Sequence, residues 1–256
     1  MNQNEIMKKI ISKKDFSQLP KKDVEKVYQI FEKRQCSDEE KIRLTRDLLR
    51  KIYSAFTSAK LLNIKDKDEE WLLRKHLSTR ERLDFYSKLY SKLFASYKKV
   101  SVIDLGAGIN GLSYGFFPKK LQVDYLAIEA MGQLTDLMNF HFKKNKLTAK
   151  AIHESLFNLE QIKKLIKKYK APRVVFLFKV LDSLEMLEKD YSKKFLKEIV
   201  PICEKVVVSF ATQSMIKRSR FKVNRKWIID FIESNFELFE DFELGNERYI
   251  IFRKKV

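Results

Sequence analysis

Residues 102–111 read Val-Ile-Asp-Leu-Gly-Ala-Gly-Ile-Asn-Gly and hold three of the chain's six glycines. A strand ending in a glycine-rich turn lets backbone approach a bound cofactor closely, at the edge of a doubly wound sheet where such folds take their ligands. One strand later, in Ala127-Ile128-Glu129, a carboxylate can accept hydrogen bonds from both hydroxyls of an adenosine ribose. Turn and acid together describe a nucleoside site. Gly106, Gly108 and Gly111 also satisfy G-x-G-x-x-G, and an acid about 20 residues on belongs to the nicotinamide-dinucleotide fingerprint as well, so spacing leaves both cofactors open. Asp104 favours S-adenosylmethionine, because a carboxylate two residues before the first glycine suits an ammonium group and repels a pyrophosphate. The bland alternative is a glycine turn with no ligand.

The elements that must hold this turn follow from hydrophobic period. From residue 100 short apolar runs alternate with amphipathic stretches: strands are expected at Val100–Leu105, Val123–Glu129, Ala149–His153, Val174–Phe178 and Lys205–Phe210. Helices are expected near 131–145, 158–170, 184–199 and 224–235. Strands separated by helices imply a parallel sheet covered on both faces. Two last runs, Phe236–Leu244 and Arg248–Phe252, joined by Gly245 and Asn246, suit an antiparallel hairpin. The expectation is an α/β class I methyltransferase fold, Rossmann-like, with a mostly parallel seven-stranded sheet closed by a C-terminal hairpin. Residues 1–99, by contrast, contain no glycine and one proline and carry apolar residues at helical spacing, such as Val24, Val27, Tyr28 and Phe31. They read as an all-helical N-terminal domain preceding a methyltransferase domain at 100–256. Ser37 with Glu40 and Ser78 with Glu81 each fit a capping box at a helix start.

Composition bounds the rest. The chain has 256 residues, 45% apolar and 12% aromatic, too core-forming for a disordered or fibrous protein. Two distant cysteines, Cys36 and Cys203, and three histidines argue against a disulfide framework and against a zinc site. No metal is expected. Neither a signal peptide nor a membrane span is indicated, and a cytoplasmic setting is expected. The formal net charge is +19, which suits a polyanionic partner. Residues 1–99 carry 25 basic and 15 acidic residues, a net +10. A solvated lysine-rich face is the dull explanation, since 40 of the 53 basic residues are Lys.

Several motifs in order then point further. Lys75-His76-Leu77-Ser78-Thr79-Arg80-Glu81-Arg82-Leu83, the Asp104–Asn110 turn, Phe178-Lys179-Val180-Leu181 with Leu184-Glu185, Val208-Ser209-Phe210, and Leu244-Gly245-Asn246-Glu247 together resemble the Arm/Rmt (FmrO-like) aminoglycoside-resistance methyltransferases. The similarity covers most of the chain. It implies S-adenosylmethionine-dependent methylation of N7 of guanine 1405 in 16S rRNA within the assembled small (30S) ribosomal subunit. It implies S-adenosylhomocysteine as product and Arg82 as the group gripping the methionine carboxylate. Gly106 and Gly108 fall in the cofactor turn, Asp104 and Asn110 match its Asp and Asn, Glu129 stands where the family usually has Asp, and Glu154 matches the acid near the adenine. Departures are Gly111 and Asp182, each in place of a family Pro, and the run Phe210-Ala211-Thr212-Gln213-Ser214-Met215 with the basic segment after it.

Guanine N7 carries no hydrogen, so methyl transfer to it needs no general base and depends on in-line positioning and electrostatics. An extruded base would stack on an aromatic side chain, for which Phe210 and Trp227 are candidates against core packing. Lys179, ending the fourth strand, is expected to line the cleft, because an unpaired buried ammonium is costly. RNA contacts are expected at Lys8, Lys9, Lys13 and Lys14 and at Lys217, Arg218, Arg220, Lys222, Arg225 and Lys226. A monomer is expected. Two other readings compete: a methyltransferase of another RNA position, and a non-catalytic RNA-binding or ribosome-assembly protein with a vestigial pocket.

Overall fold

A computed structural model describes residues 2–54, 57, 61, 66–212 and 225–255. Seven strands, β1 (Lys99–Leu105), β2 (Gln122–Glu129), β3 (Ala149–His153), β4 (Arg173–Phe178), β5 (Lys205–Ala211), β6 (Phe236–Leu244) and β7 (Glu247–Lys254), form one sheet in the order β3-β2-β1-β4-β5-β7-β6. The first five are parallel; β7 runs antiparallel to both β5 and β6. Each expected strand is present to within two residues at either end. The order reverses between β1 and β4, so the carboxyl ends of these strands open a crevice at the switch point.

Alternation along the buried strands gives the sheet two apolar faces. Ile103, Leu105, Val175, Leu177, Val206 and Val208 face α8 (Leu159–Lys167), α9 (Leu181–Leu187), α10 (Tyr191–Ile199) and α11 (Lys226–Asn235). Val100, Val102, Tyr125, Phe176 and Val207 face the other way, onto α7 (Gly132–Lys144) and the N-terminal helices. Those are α1 (Gln3–Ile11), α2 (Lys21–Glu32), α3 (Asp38–Leu49), α4 (Glu69–Lys75), α5 (Leu77–Arg82) and α6 (Tyr86–Leu93). Ile10, Val27, Leu49 and Leu72 belong to the same buried cluster as the strand residues. The helical segment and the sheet therefore share one core. Tyr90 of α6 stacks on Phe117 at 4.2 Å and reaches Phe176 at 6.1 Å, covering sheet that a first crossover helix would ordinarily cover.

That crossover helix is absent. After the glycine turn the chain forms a 3₁₀ segment, Asn110–Phe116, which carries Gly111 and Gly115 and ends before Pro118. A second difference is the split of the expected 184–199 helix into α9 and α10. Asp190 sits at φ 61, and the Glu185 carboxylate accepts from the backbone N–H of Asp190 (2.7 Å) and Ser192 (2.8 Å), satisfying groups a continuous helix would have paired. Neither Ser-x-x-Glu pair closes as a full capping box, the Glu40 carboxylate being bound to Arg43. Ser37 accepts from Glu40 N–H at 3.2 Å and starts α3, but Ser78 lies inside α5, whose N-cap is His76. Its hydroxyl and the Glu81 carboxylate are used by tertiary partners instead.

Candidate active site

The crevice, about 850 Å³ with its part open to solvent included, is bounded by the β1 turn, the ends of β2 and β4, the loop after β3, and side chains from α2, α5 and α9. Gly106 (φ 70) and Gly108 (φ 56) make the turn in the left-handed region that favours glycine. A Cβ on Gly106 would stand 2.7 Å from a methyl of Val180, and one on Gly108 would stand 2.9 Å from the His76 ring. His76 is held neutral in this setting, its pKa pushed down to about 3 by burial and by the nearby Arg82 and Lys179 charges. Gly111 fits snugly for another reason: its added Cβ would meet Phe142 at 2.6 Å, so it serves packing of α7.

A chain of buried polar groups runs along one wall. Asp104, 1% exposed, accepts from Tyr125 Oη (2.5 Å) and Asn110 Nδ2 (2.7 Å). Asn110 Oδ1 accepts in turn from Arg82 Nη1 and Tyr86 Oη, each at 2.7 Å. Arg82 donates through Nη2 to Ser78 Oγ (2.6 Å) and through Nε to both oxygens of Glu247 (3.2 and 3.1 Å). Glu247 also accepts from the Ser209 hydroxyl and lies 3.2 Å from Lys179 Nζ, which is 2.6 Å from Glu81. Two cations thus meet two acids, and Asp104 ends the chain with no cation bonded to its carboxylate among the described residues. Burial raises the Asp104 carboxyl above its ordinary range. A cationic ligand group would relieve that.

Glu129 closes the opposite wall. Its Oε2 accepts from Gly108 N–H and its Oε1 from Met131 N–H, both at 2.8 Å, which fixes the carboxylate while leaving lone pairs for ligand hydroxyls. Burial outweighs these bonds and lifts its pKa to about 7. The ionised form is the better acceptor for ribose hydroxyls, so nucleoside affinity should rise with pH through about 7 and then level. For stability the sign is opposite. A carboxyl raised from 4.5 to about 7 on folding stabilises the fold fully below 4.5 and loses that contribution as pH climbs through 7. Calorimetric titration of S-adenosylhomocysteine from pH 5.5 to 8 checks the binding trend; Glu129→Gln should flatten it, and a wild-type profile already flat would contradict it.

Of the residues singled out from sequence, Arg82, Asp104, Gly106, Gly108, Asn110, Glu129 and Lys179 all line this one cavity. Lys179 does so from a left-handed backbone (φ 60) at the end of β4, a strained conformation of the kind that clusters at functional sites. Glu154 is placed differently: its carboxylate turns to the Ser155 N–H at 2.9 Å, outside the cavity lining. Phe210 is 2% exposed and packs in the core on the α8–α11 face beneath the Arg225 guanidinium, 5.0 Å from its ring, so stacking on a base would require it to leave that core. Trp227 is half-buried against the same core with Lys193 5.7 Å over its ring. Arg225 is held by Asp182 (2.8 Å) and donates to the Ala211 carbonyl at 2.7 Å. Lys8, Lys9, Lys13 and Lys14 lie exposed along α1 and just after it, and Lys226 is exposed at the start of α11. Lys217, Arg218, Arg220 and Lys222 lie outside the described residues. Sequence reasoning missed Glu247, Glu81, His76 and Asp23 as parts of the site. Only their place in quoted motifs, or for Asp23 its place in the first turn of a helix, hinted at them.

The donor set fits S-adenosylmethionine. Asp104 would take the ammonium, the remaining Arg82 N–H the carboxylate, Glu129 the ribose, and the apolar end beside Ala130, Leu134, Leu156 and Phe157 the adenine. A dinucleotide fits poorly, because pyrophosphate sites use a helix N-terminus and here a 3₁₀ segment and a buried carboxylate occupy that place. Among the described residues no group of three or more His, Cys, Asp or Glu could hold a metal ion.

Comparison with known proteins agrees. A family model described as ribosomal RNA methyltransferase (FmrO) matches residues 41–230. A 16S rRNA (guanine(1405)-N(7))-methyltransferase of Proteus mirabilis is 25% identical over 192 residues, covering 70% of this chain but only 63% of that relative, less than two thirds of its length. Among solved structures, the 16S rRNA methyltransferase RmtF, in complex with S-adenosyl-L-homocysteine, superposes with a TM-score of 0.80 at 18% identity, each chain covered completely. The 16S rRNA methylase RmtB follows at 0.76 and 19% identity, covering 100% of this chain and 99% of its own. At such identities the likeness speaks for the fold.

Proposed function

We propose, for a chain that belongs to the FmrO family of ribosomal RNA methyltransferases, that it methylates N7 of guanine 1405 of 16S rRNA in the assembled small ribosomal subunit, using S-adenosylmethionine. The observation that carries this is the buried wall Glu247–Arg82–Asn110–Asp104 facing Glu129 across one cavity. It offers a carboxylate at each end of a cationic nucleoside, in a chain whose rRNA methyltransferase signature spans residues 41–230. The named activity of the Proteus mirabilis relative supplies the position and atom. When bound, the cofactor supplies an electrophilic sulfonium methyl. Guanine N7 would take that methyl through a lone pair that carries no hydrogen.

No proton leaves in that step, so the chain's own groups act by orientation. Glu129, fixed by the Gly108 N–H of the turn, holds the ribose, Asp104 and Arg82 fix the methionine end, and the Lys179 ammonium is neutralised by Glu81 and Glu247, so it adds little repulsion toward an incoming cation. In this reading the helical segment 1–99 makes rRNA contacts through Lys8, Lys9, Lys13 and Lys14, and residues 100–256 carry out transfer. Shape and phosphates would dominate recognition. The enzyme would work as a monomer on ribosomes in the cytoplasm; no helix among the described residues is long and apolar enough to cross a membrane. Its mark would confer aminoglycoside resistance, as the Arm/Rmt resemblance implies.

The test is to incubate small subunits with the protein and S-adenosylmethionine, then locate N7-methylguanosine by borohydride and aniline scission with primer extension. One stop at guanine 1405 is expected. Methylation elsewhere would favour the reading in which Asp182 and the altered residues after Phe210 redirect the target. Cofactor binding without any transfer would favour a non-catalytic assembly protein.

A further inference from the structure

The adenine end of the cavity is not built by the methyltransferase sheet alone. Asp23 reaches it from the first turn of α2, and Ile52 and Tyr53 from the segment after α3. Asp23 is 1% exposed. Its Oδ2 accepts from Tyr53 Oη at 2.8 Å and its Oδ1 from the Ser155 hydroxyl, the residue that follows Glu154 in the loop after β3. Among the described residues no basic side chain forms an ion pair with it; Lys26, three residues on in α2, is bound to Glu188 at 2.6 Å. A buried carboxylate in contact only with hydroxyls is costly unless a further donor arrives. Each oxygen keeps acceptor capacity after its single hydroxyl bond. Around it the walls are apolar: Leu134, Leu156, Phe157 and Leu187.

We infer that Asp23 reads the exocyclic 6-amino group of the cofactor's adenine, so that nucleobase selectivity is supplied by the N-terminal helical segment. This rests on the S-adenosylmethionine reading above. It departs from the expectation for Glu154, which is not among the residues lining the cavity and whose Oε1 accepts from the Ser155 N–H. With the ribose at Glu129 and the base among the apolar lining side chains, Asp23 is the carboxylate that α2 contributes to the cavity lining, and it is an acceptor. An amino group satisfies it; a 6-oxo group opposes it, oxygen to oxygen. The same bond would couple filling of the cavity to seating of α2 on the loop after β3.

The experiment compares S-adenosyl-L-homocysteine with S-inosyl-L-homocysteine, which carries oxygen in place of the 6-amino group and a hydrogen on N1, by calorimetry on the full chain. Wild type should prefer the adenosyl compound by at least about 30-fold, as expected for loss of a bond to a charged group. Asp23→Asn keeps size and one hydroxyl as a donor, the other hydroxyl having to accept from the amide instead, and its amide can also donate to a 6-oxo group. It should weaken the adenosyl compound about 10-fold and bind the inosyl compound more tightly than wild type does. A purely structural Asp23 would weaken both ligands equally and leave their ratio unchanged, which would overturn the inference. So would a wild-type ratio near one, a result that needs no variant. Failure of wild type to bind S-adenosylhomocysteine at all would instead strike at the cofactor reading.

Discussion

Replacing Glu247 with glutamine is expected to lower unfolding stability by about 3–5 kcal/mol, the cost of breaking a buried ion pair by removing one partner. The substitution keeps shape and an acceptor for Ser209, so the loss is one of charge. Arg82 and Lys179, buried side chains both, would be left with Glu81 to balance them, and among the described residues Glu81 bonds only to Lys179. The Arg82 guanidinium would then be held by Asn110, Ser78 and Tyr86, none of them charged. Urea unfolding measures the effect at pH 7. A loss below about 1 kcal/mol would mean that the bridge does not carry the predicted strength. Acid should mimic the variant in part. The Arg82 and Lys179 charges hold the Glu247 carboxyl below its ordinary 4.5 against the opposing effect of burial, so its contribution is present above that value and is lost as pH falls further.

Asp104→Asn is expected to weaken S-adenosylmethionine binding by about 10- to 100-fold while leaving the fold intact, since a bond from an ammonium to a carboxylate contributes roughly 1.5–3 kcal/mol. Tyr125 and Asn110 both donate to the same oxygen, Oδ2. An asparagine can present its oxygen there and keep both bonds. Its amide nitrogen must then face the cavity, a donor set against the cofactor's ammonium. Because burial raises the Asp104 carboxyl, the neutral side chain removes a desolvated charge, and thermal stability should stay level or rise. Affinity and stability therefore move in different directions, which a general loss of structure could not produce. Isothermal titration beside a melting curve reads both.

Much of this was legible in the sequence. The strands announced themselves because each is an apolar run bounded by polar residues, and the hairpin because Gly245 at φ 62 allows the turn between Leu244 and Glu247. The turn residues Asp104 to Asn110 and the acid Glu129 lie within 26 residues of one another, close enough for local pattern to show them. Glu247 could not be found that way: it pairs with Arg82 across 165 positions, and in a strand beside charged neighbours it reads as a surface residue. Asp23 was hidden similarly, since an acid in the first turn of an amphipathic helix is what a solvated helix start requires. The second capping box failed because Ser78 and Glu81 serve Arg82 and Lys179 instead of backbone N–H groups. Helix propensity likewise did not reveal the break at Asp190, which Glu185 imposes from one turn away. Phe210 shows the same limit in reverse: its motif suggested a ligand role, while strand alternation turns its ring to the core.

The cavity between Asp104 and Glu129 either holds a sulfonium nucleoside or it does not, and equilibrium titration of wild-type protein with S-adenosylmethionine decides it most directly. One molecule per chain should bind, with affinity that falls in both Asp104→Asn and Glu129→Gln. A folded protein that takes up none at millimolar ligand, or binds it undiminished in both variants, would contradict the assignment of this cavity.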